Sequence, residues 1–160
     1  MQWYMSHGVG SRSRRENPCR ALAHANRRVV AQWRGMARLR VGIDLVQVSR
    51  IAESIATFGE RFLRRVFTER EVAYASSSPD VTAERLAARF AAKEAAKKAL
   101  GLDGVGWNEI EVVRMPSGAC ELLLHGRARA AAEPFGAADV AVSMSHEGDH
   151  ATAVVIALAQ

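Results

Sequence analysis

RFAAKEAAKKALG, residues 89–101, decides how this chain folds. Alanine and the long straight side chains around it are strong helix formers, and the favourable run extends back to about Glu84. Gly101 supplies a stop, and Thr82 stands where an N-cap belongs, so the spacing predicts one helix over about 84–100. On a wheel of about 100° per residue, Leu86 and Phe90 fall on one side of Glu94, and Ala87 and Ala91 on the other. Arg85, Arg89 and Lys93 make a separate basic row. Glu94 therefore projects from the arc that should meet the protein body, where a carboxylate loses hydration and needs a cation or donors to stay charged. On spacing alone the plain reading is an i, i+4 pair with Lys98, worth a few tenths of a kcal/mol at a surface.

The elements on either side fix the class. Leu39, Val41, Ile43 and Leu45 alternate with Arg40, Gly42, Asp44 and Val46, the period of a half-buried strand. Ile51, Ile55 and Phe58 recur at helical spacing over 49–58. Thr68 and Glu71 make a capping box for a short helix through Val72 and Tyr74, and Ser76–Pro79 is a loop. Beyond the long helix, Ile110–Met115 and Cys120–His125 flank a turn at Pro116-Ser117-Gly118. A short alanine-rich helix over 127–133 follows. Val140–His146 and Ala151–Leu158 then flank Glu147-Gly148-Asp149 as a second hairpin. This order predicts an α+β domain in which a mostly antiparallel sheet packs on one long central helix.

Charge is unevenly spread. Residues 1–35 hold seven arginines against the single acid Glu16, which leaves 15 of 22 basic and 16 of 17 acidic residues for the rest. The body is thus near neutral, and the formal +5 belongs to the N-terminal segment, so a nucleic-acid partner is not expected. The expected division is an Arg-rich extension over 1–37, disordered or partly helical, and a domain over 38–160. The extension also has the composition of a targeting peptide, but an upstream start with Met36 as the natural initiator is the favoured expectation. No run of eighteen apolar residues suggests a membrane span. Cys19 and Cys120 form neither a disulfide framework nor a closely spaced metal pair, which suits a reducing compartment.

Asp44 raises the same question as Glu94, because an aspartate among valine, isoleucine and leucine is unfavourable in a strand without a task. Two carboxylates on separate elements suit a hard cation such as Mg²⁺, which accepts one or two of them and completes its shell with water and phosphate oxygens. Two unrelated surface acids would give the same spacing. His146 shares a strand face with Val140, Val142 and Met144, the setting of a structural histidine more often than a catalyst. Ser143 and Ser145 face the other way, against a Ser-His pair. The glycines at 101, 104 and 106 follow a helix rather than a strand, so they read as a C-cap turn and not a dinucleotide fingerprint.

Taken together, VGIDLVQVSRI, RRVFTERE, RLAARFAAKEAAKKALG, GWNEIEVV and VSMSHEGDHATAVVIA resemble, in this order, the holo-acyl-carrier-protein synthases, the small bacterial phosphopantetheinyl transferases. The resemblance runs from Leu39 to the C-terminus. It implies the 4′-phosphopantetheinyl transferase fold and transfer of 4′-phosphopantetheine from coenzyme A to a serine of acyl carrier protein in fatty acid biosynthesis, releasing adenosine 3′,5′-bisphosphate. It implies Mg²⁺ on Asp44 and Glu94, Lys98 on phosphate, His146 near coenzyme A, and Arg89 as a phosphate or structural contact. Glu94 is also a candidate base for the serine. Arg50, Arg61, Phe62 and Arg65 would face the acidic carrier, although Thr57 and Glu60 make that region less basic than in some relatives. A cytoplasmic homotrimer with sites between subunits is the implied assembly. Two rivals remain at this point: a metal-dependent nuclease, and a non-enzymatic module that binds an acidic helix.

Overall fold

The computed structural model describes residues 38–133 and 140–159. The expectation of a disordered or partly helical segment over 1–37 lies outside these residues. In chain order the elements are β1 (Arg38–Gln47), α1 (Val48–Phe58), α2 (Glu60–Val66), α3 (Glu69–Ser76) and a 3₁₀ turn (Pro79–Val81). They continue with α4 (Thr82–Leu100), a second 3₁₀ turn (Trp107–Glu109), β2 (Ile110–Arg114), β3 (Cys120–Leu124), α5 (Gly126–Ala132), β4 (Val140–Glu147) and β5 (His150–Ala159). The α+β class is as the periodicity predicts, with every strand pair antiparallel. The strands fall into two sheets, β1-β5-β4 and the separate hairpin β2-β3.

The long helix α4 lies across β1 and β5. Its alanines 91, 92, 95, 96 and 99 are buried at the contact. They allow a very close approach: a Cβ on Gly42 would stand 1.9 Å from the carbonyl oxygen of Ala95. This orientation reverses the reading of β1. The alternation is real, but the row facing the helix contains Gly42, Asp44 and Val46. Leu39, Val41, Ile43 and Leu45 point outward and remain 56–65% exposed. Period shows that a strand has two faces; the glycine decides which one the helix covers.

Two residues of the basic row of α4 are buried. Lys93 is fully buried and Arg89 is 3% exposed. Lys93 Nζ donates to Glu71 Oε2 at 2.7 Å, to the carbonyl of Trp107 at 3.0 Å and to the carbonyl of Ile110. Glu71 forms the expected capping box with Thr68 and also accepts the Val112 amide at 2.9 Å through Oε1. All three ammonium donors are used, which is the condition for a buried charge to be tolerated. Burial still pushes the Lys93 pKa down, against the pull of Glu71.

Thr82 is not the N-cap of α4. The helix emerges directly from the 3₁₀ turn, and the Thr82 hydroxyl donates to the carbonyls of Ala75 and Ser78, at 3.3 and 3.2 Å. Gly101 ends the helix with φ of 65°, the left-handed cap that its sequence position predicts. The helix α2 between Gly59 and Phe67 was not expected as a separate element.

Candidate functional site

Asp44 and Glu94 open onto one cleft of about 610 Å³, together with Arg50, Ser54, Phe62, Phe90 and His150. Strand and helix bring them there from opposite sides: Asp44 lies on the helix-facing row of β1, and Glu94 at the edge of the α4 face that covers it. The Asp44 side chain is 18% exposed and that of Glu94 28%.

The Glu94–Lys98 pair expected from helical spacing is not formed. Lys98 Nζ reaches back to β1, donating to Asp44 Oδ1 at 2.7 Å and to the Ile43 carbonyl at 2.9 Å. Glu94 Oε1 instead accepts the indole N–H of Trp107 and stands 4.0 Å from Lys97 Nζ. No hydrogen bond among the described residues engages Asp44 Oδ2 or Glu94 Oε2. Each carboxylate thus has one oxygen committed to the protein and one left over. Such a donor set fits a hard divalent cation that takes the rest of its shell from water and substrate oxygens. It does not make a closed cage, because no group of three or more His, Cys, Asp or Glu gathers among the described residues.

The other predicted residues separate. His146 and Arg89 line a second cleft of about 580 Å³, with Tyr74, Glu84, Arg85, Arg114 and Cys120. His146 Nδ1 lies 3.6 Å from Glu84 Oε2, and its side chain is 54% exposed. Arg89 is held: its Nη1 donates to the Arg85 carbonyl at 3.0 Å, and its guanidinium carbon lies 4.3 Å from the Tyr74 ring centroid. Desolvation lowers its pKa. Arg50 and Phe62 border the carboxylate cleft, while Arg61 and Arg65 are exposed on α2.

Residues that spacing did not find complete the surroundings. Trp107 sits in the 3₁₀ turn after α4, 6.0 Å from Phe90 between ring centroids, with Lys97 Nζ 4.4 Å from the centre of its ring. Asp149, in the β4–β5 turn, accepts the Ser49 amide at 2.7 Å and the Ser49 hydroxyl at 2.8 Å. This fastens the start of α1, which carries Arg50. Those hydrogen bonds hold the Asp149 pKa below its ordinary value. No helical or strand period announces either contact: one reaches from α4 to the turn that follows it, and the other joins residues 100 apart in sequence.

A model of the 4′-phosphopantetheinyl transferase superfamily matches residues 40–155. The chain belongs to this superfamily. It is 46% identical over 121 residues to the holo-[acyl-carrier-protein] synthase of Koribacter versatilis, covering 74% of this chain and 96% of that relative. The synthase of Gloeobacter violaceus is 48% identical over 118 residues, covering 72% and 89%. Among solved structures, the Chronobacterium ammoniagenes ACPS-CoA complex matches with a TM-score of 0.68 and 35% identity over 77% of this chain and 98% of that one. The Helicobacter pylori holo-[acyl-carrier-protein] synthase in complex with coenzyme A matches with a TM-score of 0.62 and 27% identity, covering 72% and 96%. Family membership makes the chain a phosphopantetheinyl transferase and sets aside the nuclease and the non-enzymatic binding module. Among the described residues no helix is long and apolar enough to cross a membrane.

Proposed function

We propose that the enzyme transfers 4′-phosphopantetheine from coenzyme A to a serine hydroxyl of apo-acyl carrier protein, with Mg²⁺ held by Asp44 and Glu94. The observation that carries this reading is the shared cleft of these two carboxylates, each with one unengaged oxygen. The complexes of the Chronobacterium ammoniagenes and Helicobacter pylori proteins with coenzyme A support the donor.

The serine oxygen attacks the β-phosphorus of the pyrophosphate. A phosphorus–oxygen bond forms to the carrier, and the bond to the bridging oxygen breaks. Adenosine 3′,5′-bisphosphate leaves with that oxygen, and the serine proton moves toward Glu94. Bound Mg²⁺ supplies charge neutralisation at the pyrophosphate. Lys98, half-exposed and anchored on Asp44, adds a second positive charge beside the phosphates. Arg50 and Phe62 border this cleft, and together with the exposed Arg61 and Arg65 of α2 they offer a basic, partly aromatic surface to an acidic carrier helix. Catalysis on this reading is positioning plus electrostatic stabilisation.

The working unit is a homotrimer. His146 and Arg89 lie in a different cleft of the chain from Asp44 and Glu94, so a long cofactor meets both sets where one subunit abuts the next. The outward row Leu39, Val41, Ile43 and Leu45, continued on β5 by Ile156, gives such a neighbour an apolar face to cover. Fatty acid biosynthesis in the cytoplasm is the proposed setting.

The test is incubation with coenzyme A, Mg²⁺ and apo-acyl carrier protein, followed by mass spectrometry of the carrier. A gain of one phosphopantetheine is expected, and it disappears with EDTA and in Asp44→Asn. No gain, with or without residues 1–35, overturns the reading. Full activity from a species that sediments as a monomer at micromolar concentration overturns the trimer.

A further inference from the structure

We propose that Trp107 is a positioning residue for Glu94: its indole N–H fixes the carboxylate so that Oε2 faces the cleft that Asp44 shares. The inference rests on the reading of Glu94 as a metal ligand.

Three sets of contacts fix this tryptophan. First, Lys93, the residue before Glu94, is fully buried and donates to the Trp107 carbonyl at 3.0 Å and to the Ile110 carbonyl. The same helix that carries the carboxylate therefore also holds the backbone of the residue that orients it. Second, the turn is tied at its far side. Glu109 Oε1 accepts the Gly106 amide at 3.2 Å and Arg127 Nη2 at 2.9 Å, while Oε2 accepts the Arg127 amide at 2.6 Å. Third, the ring has little room to turn, with Phe90 at 6.0 Å between centroids and Lys97 Nζ at 4.4 Å from its centre.

From that fixed frame the indole N–H meets Glu94 Oε1. Lys97 approaches the same oxygen at 4.0 Å, so both protein partners of the carboxylate fall on Oε1. An indole can only donate, so the contact has one sense and selects one carboxylate orientation. A glutamate on a helix otherwise has three side-chain torsions to lose when it takes up a cation. Trp107 orders them beforehand, as an outer partner does for a ligating side chain, and loss of such partners costs about 10–100-fold in metal affinity.

The experiment uses the full chain with coenzyme A present and Mn²⁺ as the probe, free Mn²⁺ being read by electron paramagnetic resonance. Trp107→Phe keeps an aromatic ring between Phe90 and Lys97 while removing the N–H donor and part of the indole. The expected result is a loss of Mn²⁺ affinity of about 10–100-fold. With it comes a raised Mg²⁺ requirement for transfer, most of kcat returning at saturating Mg²⁺, a rescue that a merely weakened fold would not show. The indole ¹H–¹⁵N resonance assigned by its absence in Trp107→Phe should shift in Glu94→Gln. Parental Mn²⁺ affinity in Trp107→Phe, together with a loss in Glu94→Gln, overturns the role of Trp107 and leaves Glu94 as a ligand. Parental affinity in Glu94→Gln overturns both.

Discussion

Gly42→Ala is the sharpest probe of how this fold is held. The new Cβ would stand 1.9 Å from the Ala95 carbonyl oxygen, 2.8 Å from the Ala99 nitrogen and 2.9 Å from the Ala95 carbonyl carbon. All three are helix backbone, so no side chain can swing aside. Ordinary contact requires α4 to lift by about 1.5 Å. The buried methyls of Ala91, Ala92, Ala95, Ala96 and Ala99 then lose part of their contact with the sheet. At about 0.8 kcal/mol per buried carbon, losing about half to three quarters from these side chains is about 2–3 kcal/mol. Strain from overpacking adds about 1–3 kcal/mol, for a total of about 3–6 kcal/mol. That is a large share of the roughly 5–15 kcal/mol that holds a domain together. Urea unfolding at fixed protomer concentration should show a midpoint lowered by about 1–3 M. Gly104→Ala is the control, because Gly104 has φ of 74° with open space around it, so its cost is conformational alone, about 1–2 kcal/mol. A Gly42→Ala midpoint within about 0.3 M of the parent would show that α4 does not rest on this strand as described.

Other perturbations separate the remaining interactions. Lys93→Met strands the buried Glu71 carboxylate and should cost about 3–5 kcal/mol in chemical unfolding, while adding Glu71→Gln should recover part of it; an additive double mutant would contradict the pairing. Asp149 has its pKa lowered in the fold, so above its ordinary value of 3.8 its contribution to stability is complete. Below that value the unfolded chain binds the proton first, and the contribution fades as pH falls through the folded value. Asp149→Asn should therefore be less stable than the parent at pH 7, with the gap closing toward pH 3 in thermal melts; a gap independent of pH refutes this. On the proposed trimer, Ile43→Lys on the outward row of β1 should yield a lighter species in sedimentation with an unchanged far-ultraviolet circular dichroism spectrum, and an unchanged mass would contradict this row as the subunit contact.

The elements were legible in the sequence where a local signal exists. The alanine run, the Gly101 stop, the Thr68–Glu71 box and both β-hairpins are short-range patterns, and each stands where it was expected. The short helix Glu60–Val66 escaped notice because seven residues between a glycine break and Phe67 show barely two turns of period. Periodicity does not say which face is covered. Leu39, Val41, Ile43 and Leu45 alternate as a half-buried strand should, yet they form the exposed row of β1, while Lys93 and Arg89 of the basic row are buried. Apolar character says that a surface needs covering, not by what, and a lysine can be buried when a distant carboxylate waits for it. Asp44 and Glu94 were singled out because charge stood out against apolar neighbours. Trp107 and Asp149 were not, because tryptophan in a loop and aspartate in a turn are ordinary locally.

The alternation of partners along α4 has a consequence for how the chain can vary. Lys93 engages Glu71, Glu94 meets Trp107, Ala95 lies over Gly42, and Lys98 grips Asp44. Four neighbours from three separate segments thus read the helix like pins in a lock, and all depend on one angular setting. Inserting or deleting a single residue ahead of position 93 turns everything beyond it by about 100° and breaks the contacts to Glu71, Gly42 and Asp44 at once. Length changes are therefore barred from this helix while single replacements outside those positions are not, and insertions belong in turns such as the one at Gly104, where nothing stands within 4 Å of an added Cβ.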